Sequence, residues 1–175
     1  MNRLAMTLMS ALLLCSTANG KPPPARDRAA WEVFFSPRAG CTRAVLREIE
    51  HARKSIYVQA YSFTSRKIAR ALIAAWKRGV TVETILDRSN EDSDRSAAST
   101  LTEAGLAVEI DAAHRIAHNK LMIIDGETVV TGSFNFSKAA RNNAENLLVL
   151  RSRTLAARYR ANWQTHRAHS ERLAD

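Results

Sequence analysis

The sequence predicts an α/β domain built on a mixed, largely parallel β-sheet with helices on both faces. Two features carry that expectation. Along residues 31–110 the apolar periodicity alternates between two residues and three to four, as strands exchange with amphipathic helices. Such alternation builds parallel strand pairs covered on both sides. From Lys120 to Thr131 two β-rich runs flank Gly126 with no helix between them, which reads as a hairpin and adds antiparallel pairing to the same sheet. A chain of 175 residues, 46 % hydrophobic and 25 % charged, suits one such domain.

Taken in order, residues 1–20 stand apart. Asn2 and Arg3 precede an apolar run, Leu4 to Leu14, and small residues follow up to Gly20. This is the layout of a secretory signal peptide, and the run is too short for the roughly 20 apolar residues that span a bilayer. Pro22-Pro23-Pro24 marks 21–30 as a stiff leader, and residues 31–170 form the single domain. Periplasmic or secreted localisation is the expectation. Trp31 to Phe35 reads as a strand and Cys41 to Arg53 as a helix. Ser55 to Phe63 is a strand, and Ser65 to Lys77 a helix closed by Gly79. Val80 to Leu86, a helix over Ser93 to Ala104 and a strand over Leu106 to Ile110 follow. The hairpin, a strand over Glu145 to Leu150 and a helix over Thr154 to Arg167 complete the domain.

Without residues 1–20 only Cys41 remains of the cysteines, so the domain has no internal disulfide and relies on its core. Cys41 itself reads as a small buried apolar residue. Without Arg3, the one charged residue of that stretch, the formal charge falls from +9 to +8. Such a balance favours an anionic partner, nucleic acid first and an anionic membrane surface second.

The chemistry concentrates in Ala117-His118-Asn119-Lys120-Leu121-Met122-Ile123-Ile124-Asp125-Gly126 and Gly132-Ser133-Phe134-Asn135. His118 and Lys120 stand two apart at the mouth of a strand and share one face. Ser133 and Asn135 repeat that spacing where the hairpin returns. An imidazole, a fixed positive charge, a hydroxyl and an amide then converge, a set suited to a phosphoryl group whose transition state is stabilised electrostatically. His118 can attack phosphorus if an acceptor holds its far nitrogen, and Glu145 is the candidate acceptor. The scheme needs no cofactor and no metal. Asp87, Asp92 and Asp94 are too loosely spaced for a two-metal site and read as structural or solvated.

His118-x-Lys120-x4-Asp125 with Gly132-Ser133-x-Asn135 resembles the HKD signature of the phospholipase D superfamily. Ser55 to Thr64 and Gly132 to Ala140, continued by Asn143-Ala144-Glu145-Asn146, are similar to its small bacterial endonucleases. The resemblance covers about residues 31–165. It implies a phospholipase D/nuclease-like fold and a metal-independent phosphodiesterase acting through a covalent phosphohistidine on His118. It also implies a homodimer in which a second copy supplies the other histidine, an orienting role for Glu145, and a supporting place for Asp125.

Catalytic candidates are therefore His118, Lys120, Asp125, Ser133, Asn135 and Glu145. Lys120, Ser133, Asn135, Lys138, Arg141 and His114 are candidates for substrate binding, with Arg38, Arg66 and Lys67 behind them. His51, His166 and His169 read as solvated. The expected activity is a non-specific endonuclease acting on DNA, and on RNA as a further substrate. A phospholipase D acting on membrane lipid is the alternative, with Phe134 and Phe136 as nearby apolar residues. A silent nucleic-acid-binding protein would have no need of His118.

Overall fold

The structure, a computed structural model, describes residues 30–173 except Asp92. The signal-peptide and leader expectations lie outside those residues, apart from Ala30. Eight strands form one sheet: β1 (Ala30–Ser36), β2 (Ser55–Ala60), β3 (Thr81–Asp87), β4 (Val108–Asp111), β5 (Lys120–Ile124), β6 (Thr128–Gly132), β7 (Glu145–Arg151) and β8 (Glu171–Arg172). Their order across the sheet is β1-β7-β6-β5-β2-β3-β4-β8. The helices are α1 (Cys41–His51), α2 (Arg66–Lys77), α3 (Ala98–Thr102) and α4 (Arg153–Arg167).

The mixed α/β class and the two-sided helical cover are as the sequence predicts. The balance of pairing differs. Only β2–β3 and β3–β4 run parallel, while β1–β7, β7–β6, β6–β5, β5–β2 and β4–β8 are antiparallel. The cause is the hairpin: after β5–β6, β7 returns beside β6 and β1 is laid against β7, so that half of the sheet needs no crossover helix. The helix expected over 93–104 shrinks to five residues. Ser96 instead bonds Asn90 Oδ1, and Ala97 N–H donates to Phe63 C=O at 2.7 Å, local bonds that compete with helix formation.

Each face of the sheet has its own core. Ile56, Val58, Met122, Ile124, Val130, Leu147 and Val149 pack against α1, α2 and α3 residues such as Val45, Ile49, Ile68, Leu72 and Leu101. On the other face Ile85, Leu121, Ile123 and Val129 pack against Ala156 and Trp163 of α4. The Trp163 indole donates to Val58 C=O at 2.9 Å, which satisfies the one polar group of a fully buried side chain. Cys41 is buried in the first core, where burial raises its pKa. Among the described residues no helix is long and apolar enough to cross a membrane.

The α4 cover stops short of β1. Phe34 turns into the core on the α1 side, so Trp31, Val33 and Phe35 alternate onto the opposite face. Trp31 is 66 % and Phe35 57 % exposed.

Candidate active site

The register sets the site. Ala60 pairs with Lys120 and Gly132 with Leu147, so the ends of β2 and β6 and the starts of β5 and β7 meet at one edge of the sheet. Tyr61 N–H donates to Asn119 C=O at 2.9 Å, extending the β2–β5 pairing past Lys120. Asn119 Nδ2 donates to Gln59 Oε1 at 2.9 Å. The segment that carries His118 is held from β3 as well, because Asp87 Oδ2 accepts from Ala117 N at 2.7 Å. Asp87 thus has the structural role expected of it.

His118 is exposed and Lys120 is only 6 % exposed. Lys120 Nζ lies 3.1 Å from His118 Nδ1 and donates to His118 C=O at 2.7 Å. Burial lowers the Lys120 pKa, against the opposing charges of Glu145 and Asp87. The Tyr61 ring packs on the imidazole with centroids 4.5 Å apart, and Nζ lies 5.1 Å from the same ring's centroid. Tyr61 is a site residue that sequence reasoning missed; the signal was its place, directly after the strand that pairs with Lys120.

Gly132 shapes the other side. Its φ is +146°, and a Cβ there would meet Asn146 O at 2.4 Å, so a side chain is excluded on both counts. The chain passes close over β7, where Ser133 Oγ accepts from Asn146 N at 3.0 Å and Phe134 N donates to Asn146 O. Ser65 N donates to Phe136 C=O, tying the loop to the start of α2. Phe134 and Phe136 are fully buried core residues and have no surface to offer an acyl chain. The Asn135 side chain is half-buried, and its Oδ1 is enclosed without a hydrogen-bond partner among the described residues.

Five residues differ from their expected placements. Asp125 is at the far end of β5, about 17 Å from Lys120 at 3.4 Å per residue. Its carboxylate accepts from Arg53, Lys54 and Ser55 N–H at 2.7–3.2 Å, closing the turn between α1 and β2. Its role is architectural, and it touches no atom near His118. Glu145 Oε1 accepts from Asn143 Nδ2 at 3.1 Å, and His118 Nδ1 faces Lys120 instead of the Glu145 carboxylate. His114 turns away to Asp111 at 3.0 Å. His166 and His169 reach the same carboxylate and are not the solvated residues expected. His51 is exposed, as expected.

A cleft of about 940 Å³ adjoins this edge. Arg66, Lys67, Arg95, Lys138 and Arg141 line it, with Asp94 the one carboxylate among the described residues. Ser62, next to Tyr61, and Ser137, two residues after Asn135, make its border with the site. Lys138 and Arg141 thus line one cationic cleft together with Arg66 and Lys67.

The family model described as "Cardiolipin synthase, PLD-like domain" matches residues 45–167. A phospholipase D of Rickettsia felis is 46 % identical over 142 residues, 81 % of this chain and 71 % of that protein. A mitochondrial cardiolipin hydrolase of Xenopus tropicalis is 31 % identical over 114 residues, 65 % of this chain and 54 % of the relative. Among solved structures, Nuc of Salmonella typhimurium, a phospholipase D family member, superposes with a TM-score of 0.80 at 35 % identity, covering 84 % of this chain and 99 % of Nuc. NucT of Helicobacter pylori gives 0.76 at 26 %, covering 82 % and 99 %. An imidazole and a buried ammonium at a strand mouth, on a fold and sequence shared this extensively, make the chain a phosphodiester hydrolase of the phospholipase D superfamily.

Proposed function

We propose that this chain is a non-specific endonuclease that cleaves DNA, and RNA as a further substrate, through a phosphohistidine formed on His118. The observation that carries the reading is the cationic cleft beside His118 and Lys120. Among the described residues five cations line it against one carboxylate, a balance that suits a polyanion bound along its backbone without regard to base sequence. The formal charge of +9 acts in the same direction at longer range. Resemblance to Nuc and NucT adds support.

In the proposed reaction two copies share one site. The imidazole of one His118 forms a bond to phosphorus as the bond to the leaving oxygen breaks, and the partner's His118 gives that oxygen a proton. Water then attacks phosphorus, the P–N bond breaks, and the partner's His118 takes the water's proton. Lys120 and Asn135 hold the non-bridging oxygens. The partner's His118 acts as the imidazolium and becomes a neutral imidazole when it gives its proton to the leaving oxygen, ready to take the water's proton in the second step. The attacking His118 is neutral, one nitrogen free for phosphorus and the other N–H held by an acceptor such as Glu145. The exposed stripe of Trp31, Val33 and Phe35 on β1 ends beside Ser36, which pairs with Glu145 at the site edge. That stripe is the surface we assign to the second copy. Residues 1–20 would direct export, which keeps an unselective nuclease away from the genome of its own cell.

Phospholipid is the second reading, favoured by the relatives named phospholipase D and cardiolipin hydrolase and by exposed Ile116, two residues before His118. The test incubates purified protein with plasmid DNA or phospholipid vesicles in excess chelator, with circular dichroism confirming an intact fold. Nicked plasmid supports the nuclease. Released head group with intact plasmid supports the lipase and overturns it.

A further inference from the structure

A second constellation sits on the other side of the loop that leads to His118. Asp111 ends β4, and its side chain is fully buried. His114 lies on the loop after it, His166 in the last turn of α4, and His169 just beyond that helix. His114 Nδ1 is 3.0 Å, His166 Nδ1 2.9 Å and His169 Nε2 3.4 Å from the Asp111 carboxylate. The three rings touch one another, with centroids 4.9–5.5 Å apart. One donor atom from each of the four residues lies within 4.8 Å of all the others.

We propose that Asp111, His114, His166 and His169 bind a single Zn²⁺ ion that fastens the C-terminal segment to the loop carrying His118. Zinc takes four ligands tetrahedrally at roughly 2.0–2.2 Å, so its ligand atoms stand about 3.3–3.4 Å apart. The three imidazole–carboxylate distances already bracket that edge, and closing the set requires only the histidines to draw together. Imidazole nitrogens select a transition metal over Mg²⁺ or Ca²⁺, which prefer oxygen. The sequence repeats one spacing, Asp111-x2-His114 and His166-x2-His169, at both ends of a long chain loop. One hydrogen-bonded histidine would suffice to satisfy a buried carboxylate; here Ala113 N–H and three imidazoles share it. His114 and His169 are partly open to solvent, which gives an ion a way in.

The ion is structural and stands apart from the phosphorus chemistry, so this inference does not depend on the substrate assigned above. Chelator-treated protein should take up one equivalent of Zn²⁺ in calorimetry and none of Mg²⁺. At zinc a hundredfold above its dissociation constant, Tm should rise by about 5–10 °C. Co²⁺ in place of zinc should show the strong visible absorption of a four-coordinate ion. The double variant His114→Ala/His169→Ala, which changes only partly exposed side chains, should fold but lose the uptake and the Tm rise. His51→Gln should keep both. Absence of stoichiometric zinc uptake by the wild type, or equal uptake by the double variant, overturns the proposal.

Discussion

Lys120 Nζ sits 3.1 Å from His118 Nδ1 and is itself almost wholly buried. Its ammonium is therefore both the partner of the reacting ring and a charge held out of water. Burial lowers the Lys120 pKa below the usual 10.5, with Glu145 and Asp87 resisting. As pH rises, this lysine loses its proton before a solvated one would, and the site loses its charge on the phosphoryl oxygens. The alkaline limb of kcat/KM against pH should therefore fall below 10.5. In Lys120→Arg that limb should move out of the accessible range, because the guanidinium does not titrate there, while the plateau rate falls. An unmoved limb in the variant would assign the titration to another group.

His118→Asn should lose about 10⁴-fold or more in turnover, since removal of an attacking group is felt by the whole catalytic set. The exposed ring contributes little to the core. Thermal unfolding should shift by no more than about 2 °C, as for ordinary surface substitutions. Single-turnover cleavage and a melting curve on the same preparation test both parts.

Asp125→Ala should separate stability from chemistry. Three backbone N–H groups lose their acceptor, at a cost of about 1–3 kcal/mol once partial exposure to water is allowed for. Rate per folded molecule should stay within about twofold, as the residue touches no reacting group. Asp125→Asn keeps one acceptor oxygen and tolerates the left-handed φ of 54°, so it should recover most of the stability. Urea unfolding with active-site titration tests this.

Gly132→Ala should fail in a different way. The left-handed φ costs about 1–3 kcal/mol by itself, and the Cβ overlaps a carbonyl oxygen of β7. The loop with Ser133 and Asn135 must shift, so turnover should fall even in the cold, where the variant remains folded. Denaturant midpoints and assays at low temperature read the two effects.

Arg66→Ala/Arg141→Ala should raise KM for DNA and flatten its salt dependence. Each lost phosphate contact removes about 0.9 from the slope of log affinity against log salt. Turnover of a small chromogenic phosphodiester, which does not reach the cleft, should change little. Equal losses on both substrates would place these arginines in the chemistry.

Much of this was legible beforehand. Period-two and helical patterns located β1 to β7, α1, α2 and α4, because each buries one regular face. His118 and Lys120 could be brought together from their spacing of two along one strand, as the 3.1 Å between their nitrogens shows. The parallel bias was misjudged because β1 and β7 carry no mark of the direction in which they pair. Asp125 shares a short motif with His118, yet five residues of extended strand take it to the opposite edge. Tyr61 and the Asp111 cluster depend on contacts from β2, and from the end of α4 back to β4, which no local window contains.

Among the described residues, strand β1 closes the sheet on one side with its outer hydrogen-bonding row unpaired and Trp31 and Phe35 standing clear of any helix. An unpaired edge beside exposed aromatic rings is the combination that invites strand-to-strand aggregation. A polar replacement at Trp31 should therefore raise the concentration at which the protein begins to aggregate, as read by light scattering.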